Sequence, residues 1–312
     1  MATTLAPAPA GARGSAPEPG HRPRARRTAV RYLPLVPAVV LLGVFMLGPV
    51  VWSFYGSFTN AALTGRNALA PSFVGLQNYQ ELLADPEFPK SLWLTVLFVL
   101  ASAVVGQNVL GLTLAMLLRS GAPAVRTVVS TLVVVAWVLP EIVASFALYA
   151  FFHDAGTLNA LLGAVGIEGP TWLYETPMLA VILANVWRGT AFSMLVYSAA
   201  VAEVPPELTE AARMDGATAR QRLVWVILPT IRRSVSTNLM LTTLQTLSVF
   251  TLIYVMTGGG PGTDSSTLPI LAYQEAFKFA QVGYGTAIAT VMLLIGAVFS
   301  VVYIRSLRPE VD

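Results

Sequence analysis

Cysteine is absent from all 312 residues, which excludes disulfides, thiolate nucleophiles and cysteine-ligated metal sites. Histidine is nearly absent as well. His21 sits in an N-terminal tail and His153 follows an apolar run, each alone and without a partner pattern for metal or nucleophilic chemistry. Charge is scarce, with Asp, Glu, Lys and Arg making up only 11% of the chain. No Ser/His/Asp arrangement, HExxH sequence or close carboxylate cluster occurs, so the chain offers no enzyme site of its own. Also missing is the G-x-x-x-x-G-K-[ST] loop that holds nucleotide phosphates. The one dense glycine cluster, Gly258, Gly259, Gly260, Pro261 and Gly262, has no Lys or Arg after it until Lys278. It is expected to cap an apolar segment, and any ATP consumed belongs to another subunit.

What the chain has in place of charge is hydrocarbon, with 55% of its residues hydrophobic, a balance far outside that of soluble domains. Six apolar stretches reach spanning length, at 33–57, 92–118, 127–151, 177–201, 236–257 and 281–304. Each must be helical, because a backbone in lipid has to satisfy its own hydrogen bonds. An all-α, six-span membrane protein is therefore expected.

The cations orient it. Of 19 Lys and Arg, six precede Tyr32, two lie at 119–126, five in the 202–235 loop and two at the C-terminus. The alternate side holds only Arg66, Lys90 and Lys278, and Arg188 falls within a span. By the positive-inside rule both termini and the 202–235 loop are expected in the cytoplasm. The net charge of +3 is thus a topology signal, not a nucleic-acid signature. Residues 1–32, rich in Ala, Pro, Gly and Arg, read as a disordered basic cytoplasmic tail. Residues 33–305 read as the membrane domain and 306–312 as a short cytoplasmic tail.

Between the fourth and fifth stretches lies Pro205–Pro229, PPELTEAARMDGATARQRLVWVILP. Pro205 and Pro206 suit a helix start, Glu207 and Glu210 complement the positive end of its dipole, and Gly216 suits its stop. A helix of about ten residues results, with Leu208, Ala211 and Ala212 on one side. Arg220, Arg222, Leu223, Trp225, Val226 and Ile227 then form a second amphipathic piece. A membrane-surface helix is the alternative for such a segment, although the first helix is too alanine-rich to hold lipid well.

Glu210-Ala211-Ala212, then Asp215-Gly216-Ala217 and Ile227-Leu228-Pro229, resemble the EAA loop of binding-protein-dependent ABC importer permeases. Phe73-Val74-Gly75-Leu76-Gln77-Asn78-Tyr79 with Asp85-Pro86, Asn185-Val186-Trp187-Arg188-Gly189, and Thr257-Gly258-Gly259-Gly260-Pro261 extend the likeness to the sugar branch. There it is similar to the larger permease of maltose, glycerol-3-phosphate and multiple-sugar systems. The resemblance covers about Leu33 to Arg305, in order. One departure is Arg233, where the family often has a proline.

This resemblance implies a permease in a bacterial inner or plasma membrane that forms half of a translocation pore. It binds no cofactor itself, ATP-Mg being used by a partner. Implied partners are a second homologous permease, an ATPase dimer, an extracytoplasmic sugar-binding protein and membrane lipid. The resemblance further implies that Glu210, Ala211, Ala212, Asp215 and Gly216 dock on the ATPase, with Glu210 as charged anchor.

Polar residues within spans are costly in lipid and point to the bundle interior. Asn238, Thr242, Gln245 and Thr246 share one helical face, and Asn185, Arg188, Gly189 and Phe192 another. In related sugar permeases, positions matching the second set line the cavity. The alternative is that such groups join neighbouring helices and that Phe192 only packs. Glu141 and Arg188 fall at similar expected depth, and an ion pair between them would relieve the cost of both. Equally, Arg188 could meet an anionic substrate such as a glycerol phosphate. A secondary transporter or channel remains a further reading of six spans alone, without the repeat or membrane carboxylates that coupling ions require.

Overall fold

The computed structural model describes residues 33–307. The expected tail 1–32 lies outside them, as do the last five residues; of the C-terminal tail expected at 306–312, residues 306 and 307 are described, as the end of the last helix. Among the described residues the chain is helical, and its one isolated β-bridge pairs Thr59 with Phe73.

Two units are distinguished, 1–51 and 52–312. The described part of the first is an apolar helical run that includes most of α1 (Val36–Gly56). α1 contains no charged residue and no buried residue in its most apolar window; a helix is the form in which so apolar a segment satisfies its own backbone groups in lipid, where unpaired ones are not tolerated.

The second unit is a bundle. After α2 (Gln77–Ala84) comes α3 (Glu87–Arg119), whose 33 residues reach roughly 50 Å at 1.5 Å per residue. Its middle, Val99–Gln107, widens to π-helical pitch. α4 (Pro123–Val138), α5 (Glu141–Phe152) and α6 (Thr157–Ala164) follow, then α7 (Pro177–Ala202). The loop carries α8 (Pro206–Met214) and a helical segment over 219–230, α9. Last come α10 (Arg232–Leu247), α11 (Thr251–Met256), α12 (Leu268–Tyr273) and α13 (Val282–Leu307).

Two expected spans are not continuous. The stretch at 127–151 breaks at Leu139–Pro140, and the helices on either side are bent by 107°. The cause is local: Leu139 precedes a proline and takes an extended ψ of 135°. The stretch at 236–257 breaks after Leu247, where Ser248 closes the helix by bonding its hydroxyl back to the Gln245 carbonyl at 3.0 Å. Among the described residues, then, four helices (α1, α3, α7, α13) are long and apolar enough to cross a membrane, with the bent pair counting as a fifth if it is one span.

The buried core joins α3, α5, α7 and α11 through Phe98, Phe152, Val181, Leu252 and Ile253. α3 and α7 approach most closely where glycine removes the side chain. A Cβ on Gly111 would lie 2.4 Å from Ser193 Cβ, and one on Gly106 2.3 Å from Val186 Cγ2. Small residues at such crossings replace the hydrophobic drive that lipid does not supply.

At one end of the bundle the loop motifs lock together. Asn78 Nδ2 donates to the carbonyls of Ser57 and Thr59, each at 2.8 Å, and Gly75 turns the chain at φ +62°. Gly258 and Gly259, both at positive φ, turn the chain after α11, and Gln274 Nε2 ties it by donating to the Gly258 carbonyl. Lys90 reaches Asp264 at 2.7 Å. Burial, reinforced by Asp85 and then Glu87, pushes the Glu275 carboxyl above the usual carboxylate range.

Candidate functional site

The breaks in the two interrupted stretches face a common space. Pro140 ends one helix and starts the next, so Trp137 at the end of α4 and Glu141 at the first turn of α5 both reach it. As the first residue of α5, Glu141 stands at a helix N-terminus, where the dipole favours its charge. Its expected position deep within an unbroken span is corrected accordingly. From α7 come Asn185, Arg188 and Gly189; from α3 comes Gln107; from the end of α10 and the break come Gln245, Thr246, Ser248 and Phe250. These line a cavity of about 320 Å³, within the range of small-molecule sites.

Its wall is internally bonded. Gln107 Nε2 donates to the Asn185 carbonyl at 3.1 Å, a contact possible because Gly189 has no side chain: a Cβ there would sit 2.2 Å from Gln107 Cδ. Asn185 Nδ2 donates to Ser102 Oγ at 2.9 Å and to Thr246 Oγ1 at 3.4 Å. Arg188 Nη2 lies 3.6 Å from Glu141 Oε2, while its buried Nε has no partner among the described residues. The site therefore offers amide and hydroxyl groups, one guanidinium beside one carboxylate, and the rings of Trp137 and Phe250. Such a set can hydrogen-bond a polyhydroxylated ligand and pack against its apolar face.

Not every expected residue lies in this wall. Asn238 and Thr242 belong to a buried network: Asn238 Nδ2 donates to Asn108 Oδ1 at 2.8 Å and Ser193 Oγ at 3.0 Å, Thr242 Oγ1 donates to the Asn238 carbonyl at 2.9 Å, and the Tyr197 hydroxyl donates to Asn108 Oδ1. They join α3, α7 and α10. Phe192 stands behind the cavity with its ring 5.9 Å from that of Trp137. Gln107, Trp137, Ser248 and Phe250 line the cavity and were not singled out from the sequence, although an intramembrane glutamine in an apolar run marks Gln107 as much as its neighbours.

On α8, Glu207 in the first turn and Glu210 at mid-helix are exposed, and so are Leu208, Ala211 and the last residue, Met214, whereas Ala212 is half-buried. The two alanines thus point differently, and the exposed apolar side includes Met214, which the spacing argument passed over. The helix ends in a Schellman arrangement: Gly216 at φ +78° donates to the Arg213 carbonyl and Ala217 to that of Ala212 at 2.9 Å, with Asp215 between helix and turn. Thr218 then caps α9 through a reciprocal pair with Gln221, a T-x-x-Q spacing legible in the sequence.

The model of the family "Binding-protein-dependent transport system inner membrane component" matches residues 107–310. The chain is 34% identical over 281 residues to the sulfoquinovosyl glycerol transport system permease protein SmoG of Agrobacterium fabrum, covering 88% of this chain and 89% of the relative. It is 30% identical over 286 residues to the trehalose/maltose transport system permease protein MalF of Thermococcus litoralis, covering 90% and 94%. With the trehalose transport system permease protein SugA of Mycobacterium tuberculosis it shares 33% over 288 residues, covering 92% and 90%. In fold it matches a chain of a bacterial ABC transporter involved in the import of the acidic polysaccharide alginate, with a TM-score of 0.76 at 20% identity, covering 92% of this chain and 98% of that one. The chain belongs to the family of binding-protein-dependent transport system inner membrane components.

Proposed function

We propose that this permease carries a carbohydrate inward as half of an ATP-driven pore, with α8 transmitting the movement of a separate ATPase dimer. The observation that carries the substrate class is the cavity, where Gln107, Asn185, Gln245 and Thr246 present hydrogen-bonding groups beside the rings of Trp137 and Phe250. The relatives named for trehalose, maltose and sulfoquinovosyl glycerol support it. α8 supports the coupling role: it is short, exposed, acidic at its N-terminal end and fixed at its other end by the Gly216 turn.

Six crossings follow from parity. Were the bent pair of α4 and α5 a re-entrant loop, the five arginines of 202–235 would lie outside, against the positive-inside rule. The same reasoning makes α10 and α11 one broken span, so that both termini share the cytoplasmic side. Broken helices of this kind are tolerated at membrane depth where they line a polar cavity.

The test is reconstitution of the chain with its second permease, ATPase and binding protein in proteoliposomes, followed by uptake of a panel of sugars and of non-sugar solutes. ATP-dependent uptake of a sugar is expected. Uptake driven by an ion gradient without ATP, or uptake confined to a non-sugar solute, would overturn the reading.

A further inference from the structure

A second cavity, of about 360 Å³, lies away from the polar one, at the turn where α3 gives way to α4. Arg119 ends α3 and Arg126 opens the second turn of α4, on either side of Gly121. Ser130 of α4 and Ser198 of α7 add hydroxyls, and Leu118 and Leu195 contribute apolar walls. No carboxylate lines this cavity, and among the described residues neither arginine forms an ion pair. Arg119 is held in place, since its Nη1 donates to the carbonyl of Val201 near the end of α7 at 3.3 Å.

We infer that this cavity binds the phosphate of an anionic phospholipid. Two guanidinium groups and two hydroxyls match a phosphodiester, whose oxygens accept hydrogen bonds and whose charge the arginines balance. The position fits lipid more than a free anion: both arginines stand at the ends of apolar helices, where head groups lie, and the leucines offer a wall to the glycerol and first methylenes. Basic pockets between membrane helices bind anionic head groups on these grounds. Nothing in the transport reading requires this site, and the cavity shares no residue with the polar one.

Native mass spectrometry of the purified full chain, exchanged into nanodiscs of phosphatidylglycerol and phosphatidylcholine, tests it. Retention of phosphatidylglycerol over phosphatidylcholine is expected, falling about five-fold with Arg126→Gln and about as much again with Arg119→Gln. Arg126→Lys should keep most of it. Because Arg119 also bonds the end of α7, Ser198→Leu serves as a second variant, filling the cavity without changing charge; it should lower retention while thermal unfolding stays near that of the parent chain. Equal retention of the two lipids, or retention unchanged in the Arg126→Gln and Ser198→Leu variants, would overturn the proposal. So would displacement of the bound lipid by excess inorganic phosphate, which would make this a soluble-anion site.

Discussion

Gly111 and Gly189 both let α3 and α7 touch, yet what each faces differs. Beside Gly111 stand Ser193 Cβ and backbone atoms, with Met194 N 2.9 Å from an added Cβ, and backbone cannot yield. Gly111→Ala should therefore destabilise the protein by about 1–3 kcal/mol, the range for overpacking, seen as a lower thermal midpoint in detergent; an unchanged midpoint would show the crossing to be looser than drawn. Beside Gly189 is the far end of Gln107, which can rotate away. Arg188 and Glu141 pose the other residue-scale question. Both are about a quarter to a third exposed, at 26% and 33%, and their 3.6 Å separation is that of an ion pair. We propose that the pair sets the orientation of the cavity face of α7. Charges of like sign held about 4 Å apart repel by about 4 kcal/mol at an effective dielectric of 20, so Glu141→Arg and Arg188→Glu alone should each cut uptake severely. The double swap should recover much of it. Additive losses in the double variant would show that the two charges act separately and that Arg188 is free for substrate.

The elements were legible where one physical signal decided them. α1, α7 and α13 follow from apolar length, and α8 from its paired prolines, early glutamates and Gly216. The breaks were legible only in part. Leu139–Pro140 is a stop signal in the sequence, overridden in the reading by the continuous apolar run around it; Ser248 carries no such mark, and its closing of α10 depends on a hydroxyl bonding back to its own helix. For the same reason the lower part of the α10 face, Asn238 and Thr242, could not be separated from Gln245 and Thr246: periodicity gives a face, while the depth at which α3 covers it depends on tertiary packing. With Arg233 in place of a proline, the entry to α10 is bent all the same, since Ile231 leaves helical ψ at 11°. At α8 the proposal of ATPase docking rests on Glu210, which is exposed and forms no ion pair among the described residues. Glu210→Lys places like charge against the basic partner surface expected there, a change that can cost several kcal/mol. Uptake should fall at least ten-fold with insertion intact, and ATPase co-purification should fall with it. Normal co-purification and uptake would remove Glu210 from the interface.

At the scale of the whole molecule, the absence of cysteine is an experimental asset, because every introduced thiol is unique. In the proposed six-span topology the turn at Gly121 and the loop of α8 lie on one side, and the segments around Asn67, Glu168 and Asp264 on the other. It depends most on the bent pair, since its 107° angle alone is also what a re-entrant loop would give. The arginine distribution argues against that geometry: one missing crossing would carry Arg213, Arg220, Arg222, Arg232 and Arg233 to the outer face together. Ala122→Cys, Glu168→Cys and Thr209→Cys separate the alternatives in intact cells. A membrane-impermeant maleimide should label Glu168→Cys from outside and reach the other two only after permeabilisation. If Ala122→Cys and Glu168→Cys instead label under the same condition, α4 and α5 do not cross, and the six-span topology fails with them. Labelling of Thr209→Cys from outside would go further, placing α8 where no cytoplasmic ATPase could touch it and removing the coupling proposal at its root.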